Sequence, residues 1–214
     1  MFKVIQKKRT GRIQAYYRAP ASPTLHRREI LLFGMLLVGL ICGALTVRTS
    51  GNTILSHVWA LFRNYFDVKA QQSVLYNWSN AFFKRTLLLV VIYWIGTCAF
   101  GTPVLYAVPT IHGVGIGLVS AYLYASLSLK GVGYCALLLF PGEIIFCATM
   151  LLACAAGMEM SGQLLHLLSG KTEPEPVSMR GYTARFGIFW LLCACSAVLE
   201  TALYAVFSGY FQFS

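Results

Sequence analysis

Five stretches of this chain run for 18 to 24 residues with almost no charge: roughly Ile30–Val47, Thr86–Tyr106, Ile111–Leu129, Tyr134–Gly157 and Phe186–Ser208. About 17–25 apolar residues is the length a helix needs to cross a bilayer core about 30 Å thick. No water reaches the backbone there, so each run must satisfy its own hydrogen bonds, which a helix does. The sequence therefore predicts an all-α integral membrane protein with about five transmembrane helices. Composition closes off the alternative: 57% of the residues are hydrophobic and 11% charged, against about 25% charged in soluble domains. A basic segment, 1–29, precedes a single helical membrane domain, 30–214.

The first run is too long for a signal peptide, and its basic leader spans nearly thirty residues. It reads as an uncleaved anchor. Eight of the 17 Lys and Arg lie before residue 29. A cationic stretch directly upstream of an apolar run is a cytoplasmic, lipid-facing tail rather than a nucleic-acid surface. The Lys and Arg count, 11 on one side and 6 on the other, places the N-terminus in the cytoplasm and the C-terminus outside. Lys84 and Arg85 fall on the wrong side in this scheme.

Between the first two runs, Leu55, Val58, Trp59, Phe62 and Phe66 recur at helical spacing, and Trp78, Phe82 and Phe83 follow. This predicts an extracytoplasmic amphipathic helical segment at the membrane surface. Trp59, Phe62, Phe66 and Trp78 are its candidate partner-docking residues, with an interfacial aromatic belt as the plain alternative. Lys171–Pro176 is polar and proline-bearing, hence a linker.

Lipid tails are as apolar as Leu, so transmembrane helices associate by close backbone approach, which small residues permit. Gly39 and Gly43 mark the first run, Gly113, Gly117 and Ala121 the third, Ala153 and Gly157 the fourth. The short Lys130–Gly133 link predicts that the third and fourth runs form the tight pair.

Polarity inside such runs is costly, about 2.5–3.5 kcal/mol for a charge at mid-bilayer. Glu143 follows Pro141 and Gly142, and the three predict a helix break inside the bundle. Glu200 belongs to a stripe with Ser196, Tyr204 and Ser208. His112 is read as opening the third run at the cytoplasmic face, about half a membrane from Glu143. An intramembrane Glu can hold the fold, meet a partner subunit or line a pathway, and the sequence leaves all three open. The four histidines, His26, His57, His112 and His166, are scattered singly. No catalytic, metal or cofactor constellation is expected. The seven cysteines all lie in or beside apolar runs without a CxxC pair, and are expected to pack as small hydrophobes.

The string from His112 to Ser161 resembles the core of the stage II sporulation protein M family. The matching positions are Gly113, Gly117, Lys130-Gly131, Pro141, Gly142, Glu143, Ala148, Ala153, Gly157 and Ser161. The resemblance implies a five-span, non-enzymatic scaffold in the cell membrane that joins a lytic transglycosylase and an amidase/endopeptidase. Together those partners thin septal peptidoglycan during engulfment. The alternative from the residues alone is a transporter or channel subunit with a polar intramembrane site around Glu143 and Glu200.

Overall fold

The computed structural model describes residues 23–49, 73–169 and 179–207, and its regular structure is entirely helical. In chain order the elements are α1 (Pro23–Thr49), α2 (Val74–Gly96), α3 (Gly101–Tyr134), a π-helical segment (Cys135–Leu139), α4 (Phe140–Leu168) and α5 (Met179–Phe207). Four of them contain a stretch long and apolar enough to cross a membrane: Arg27–Thr49, Gly101–Ala125, Phe140–Leu168 and Met179–Phe207. The remaining helix, α2, has 23 residues but carries Lys84 and Arg85 near its centre. The outer surface of the bundle is apolar: Ile30, Phe33, Val38, Ile41, Trp94, Ile144 and Leu191 are all exposed. Such a surface suits lipid rather than water. The chain is an all-α, multi-pass membrane protein.

The second apolar run is not one helix. Ser73 caps α2, its Oγ accepting from the Tyr76 amide at 3.4 Å, and α2 ends at Gly96. A tight turn follows, with Cys98 N–H donating to Ile95 O and Gly101 N–H donating to Cys98 O, both at 3.0 Å. A Cβ at residue 101 would strike the Ile95 carbonyl, so the reversal requires glycine there. The turn residues are themselves mostly apolar, which hides the break from a hydropathy reading. Trp78 and Phe82 accordingly lie within α2. Their rings stack at 5.5 Å, and Phe82 leans on Trp190 of α5 at 5.3 Å. Trp78 is thus part of α2, half-buried and stacked on Phe82 of the same helix. Trp59, Phe62, Phe66 and the 171–176 linker lie outside the described residues.

Neighbours in sequence run antiparallel. Leu105 of α3 lies against Gly157 of α4, and Thr102 donates to Ser161 at 3.2 Å. Leu123 and Cys135 share a small apolar cluster near the reversal. Alternate helices run parallel: Gly39 meets Thr110 and, one turn further along both, Gly43 meets Val114.

The small-residue stripes do not seal α3 on α4. A Cβ on Gly39 or Gly43 would run into the carbonyls of Thr110 or Val114; one on Gly113 or Gly117 would run into those of Leu36 or Leu40. The tightest seam is thus α1 on α3, backbone to backbone, a geometry that also favours Cα–H···O contacts. Gly157 meets a side chain of α3, Leu105, and the backbone of α2: a Cβ built on Gly96 would sit 2.8 Å from Gly157 Cα. Ala153 is fully buried, whereas Ala121 is only partly so. A stripe shows that a helix can be approached closely; it does not say by which neighbour.

The predicted break at Phe140–Glu143 is displaced upstream. Phe140 opens α4, Pro141 takes its second position, and the irregularity is the π segment Cys135–Leu139. Proline has no N–H for the carbonyl four residues back; wider π winding just before it accommodates that gap. Gly142 is in the helix, where an added Cβ would lie 3.0 Å from Glu200 Cβ and 3.4 Å from the Ser196 carbonyl. It lets α4 and α5 close around the polar site.

Candidate functional site: a buried charge lock

Arg85, in the middle of α2, is almost fully buried. Its guanidinium donates to Ser196 Oγ at 2.8 Å, Glu143 Oε1 at 3.2 Å and Glu200 Oε2 at 2.7 Å. Its charged plane also lies 5.2 Å from the Phe146 ring centroid, within cation–π range. Planarity and a five-donor fork suit arginine to bridging two carboxylates in this way. The side chains of Glu143 and Glu200 are 20% and 13% exposed, so both acids are held largely away from solvent. A cation from α2 therefore ties α4 to α5.

His112 brings in α3. Its Nε2 lies 3.3 Å from Glu143 Oε2. Both atoms are buried, and neither has an aligned hydrogen-bond partner. The imidazole also meets Phe146 edge-on at 5.2 Å. The expected half-membrane separation of His112 and Glu143 is overturned. α3 begins at Gly101, and Pro109 lies inside it rather than before it, so His112 is about three turns into the helix. Depth follows from the α1–α3 seam. Leu36 faces Gly113 and Gly39 faces Thr110, which sets His112 level with the middle of the run Ile30–Val47.

The polar features that stand out in the sequence, Glu143, Glu200, His112 and the Pro141-Gly142 pair, converge on one place. Arg85 is the member that hydropathy conceals, because a charge beside an apolar run reads as a helix end. The available signal is electrostatic: two acids at mid-bilayer call for a cation at the same depth. A groove of about 420 Å³ opens beside the lock, lined by Leu88, Val108, Ile111, Ile116, His112 and Glu143 among others.

Other polar contacts cluster toward the α2–α3 turn. Ser161 Oγ donates to Ala99 O at 3.2 Å, and Tyr182 Oη donates to Tyr93 O at the same distance. Arg185 pairs with Glu159 at 2.9 Å between α5 and α4. All seven cysteines are free: Cys135, Cys154 and Cys193 are buried, Cys147 is half-buried, and Cys42, Cys98 and Cys195 are exposed.

A profile described as stage II sporulation protein M matches residues 31–203, most of the chain. The chain belongs to the stage II sporulation protein M family. The matched region includes every helix of the lock, from Arg85 to Glu200. Comparison with curated proteins gives no match, nor does comparison with solved structures. Family membership and apolar helices together describe a sporulation-associated membrane protein.

Proposed function

We propose that this protein is a non-catalytic membrane platform that positions cell-wall hydrolases for septal peptidoglycan thinning during engulfment. The observation that carries the reading is the charge lock. Arg85 bonds to both glutamates and Ser196, so three of its donors join α2 to α4 and α5. A bundle cross-braced in this manner offers a rigid shape, which is what a scaffold supplies. The partners, a lytic transglycosylase and an amidase/endopeptidase, come from the family resemblance.

Charge distribution supports an N-terminus in the cytoplasm and a C-terminus outside. With Lys84 and Arg85 inside α2, the outer side keeps Arg48, Arg63, Lys69 and Lys130, against eleven Lys and Arg within. The positive-inside rule then applies without the two misplaced charges. Residues 51–72, which carry Trp59, Phe62 and Phe66, fall on the outer side, where wall enzymes work.

The test replaces residues 51–72 with a Gly/Ser linker of equal length, leaving α1 and α2 whole. Membrane insertion should be normal, while co-purification of both hydrolases from sporulating cells and their septal localisation should be lost. Full hydrolase recovery with the linker variant would remove this segment as the docking element. Failure of the intact chain to recover either hydrolase in mild detergent would sink the scaffold reading.

A second reading, a transporter or channel subunit, is favoured by the groove that reaches His112 and Glu143. Glu143→Gln separates the two. A pathway predicts lost flux in liposomes with normal assembly; a brace predicts no flux in either protein and a less stable variant.

A further inference from the structure

The lock leaves one donor unused. Cys147 follows Glu143 by four residues on α4, so both side chains leave the same helix face. His112 approaches that face from α3. One ligand atom from each of His112, Glu143 and Cys147 lies within 4.8 Å of the others. We propose that these three residues bind a divalent transition-metal ion of the zinc class, with the groove supplying its open coordination position.

The donor set fits that class. Imidazole nitrogen, carboxylate oxygen and thiolate sulfur are the ligands a borderline-soft ion such as zinc takes, at about 2.0–2.3 Å. Bonds of that length arranged tetrahedrally hold ligand atoms about 3.3–3.8 Å apart. His112 Nε2 and Glu143 Oε2 are already 3.3 Å apart. With all three atoms within 4.8 Å of one another, the trio needs to close by no more than about 1 Å, within reach of one cysteine rotamer change. Calcium and magnesium, which require several oxygen ligands, do not suit this trio.

Two features of the pair suit a shared ligand. First, His112 Nε2 and Glu143 Oε2 are buried and face each other at 3.3 Å without an aligned hydrogen bond between them. Second, Arg85 holds the opposite oxygen, Glu143 Oε1, so Oε2 is left facing the histidine. Metal-bound carboxylates are commonly oriented by such an outer hydrogen bond.

The net charge of the cluster permits the ion. Arg85 with two carboxylates totals −1, a costly sum at mid-bilayer. A divalent ion with neutral His112 and a Cys147 thiolate brings it to zero. Binding then releases the Cys147 thiol proton as the metal–sulfur bond forms, with no redox change.

The test uses the full chain without a polyhistidine tag, stripped by chelator in mild detergent and titrated with zinc and cobalt(II). One zinc per chain at micromolar free metal is expected, with a thiolate-to-cobalt charge-transfer band for the cobalt form. Cys147→Ser and His112→Gln should each abolish the band or weaken zinc binding by at least about tenfold. Cys154→Ser and Cys98→Ser should leave both unchanged. No zinc retention, or a band that persists in Cys147→Ser, overturns the proposal. If a variant fails to fold, wild-type protection decides: zinc should shield Cys147 from a maleimide while Cys98 still reacts, and equal reactivity refutes the site. Neither result bears on hydrolase recruitment, which is read by co-purification.

Discussion

Replacing Arg85 by leucine removes the cation that joins three helices. The variant keeps an apolar side chain at the same place, so the loss is electrostatic more than steric. Three bonds disappear, at 2.7, 2.8 and 3.2 Å, and two carboxylates lose their shared counter-charge. Breaking a buried ion pair by removing one partner costs about 3–5 kcal/mol. The acids can escape by taking up protons, and neutralising one glutamate at pH 7 from its ordinary value costs about 3.7 kcal/mol. The expected destabilisation is therefore about 3–5 kcal/mol, and it should be smaller in acid, where the stranded carboxylates protonate more cheaply. Unfolding in mild detergent, followed by denaturant titration or retention after heating, measures it. Arg85→Leu combined with Glu143→Gln and Glu200→Gln should recover most of the loss, because the neutral amides need no cation. An Arg85→Leu protein as stable as wild type would refute the lock, and so would a triple variant no better than the single one.

Gly117→Val should drive α1 from α3, since any Cβ there meets the Leu40 carbonyl; a cysteine pair placed across the α1–α3 seam should then lose its cross-link, while helicity persists. Cys98, exposed in the α2–α3 turn, should react with a membrane-impermeant maleimide only from the cytoplasmic side, with buried Cys154 and Cys193 protected; labelling from outside would reverse the orientation. Gly101→Ala should destabilise the α2–α3 reversal by roughly 1–3 kcal/mol, as overpacking does elsewhere, measured by the same detergent unfolding.

Much of the architecture is legible in the apolar runs, because a chain in lipid must pair its backbone locally and only helices do so within one segment. Register is what the runs do not carry. Lys84 and Arg85 resemble a helix boundary, since hydropathy treats a charge as an end. Yet Ser73 caps the helix twelve positions upstream of Arg85, and a capping residue at that distance is itself a sequence signal. Pro109 resembles the start of the third helix but sits inside it, where neighbouring helices tolerate proline. Those two misreadings separate His112 from Glu143 and hide Arg85 altogether. The glycine seam is concealed for another reason: Gly39 and Gly113 advertise a flat face, and their pairing depends on a bundle geometry that no local pattern contains.

The distances along the chain between Arg85 and its acids impose an order on biogenesis. Arg85 is made 58 residues before Glu143 and 115 before Glu200. At about 5–20 residues per second, its final counter-charge arrives roughly 6–23 s later. Until Glu143 is made, roughly 3–12 s at that rate, α2 carries a cation with no acid at its depth, which lipid disfavours. The last helix to be synthesised then completes the lock, and a chain truncated before Glu200 leaves Arg85 with one of its two acids.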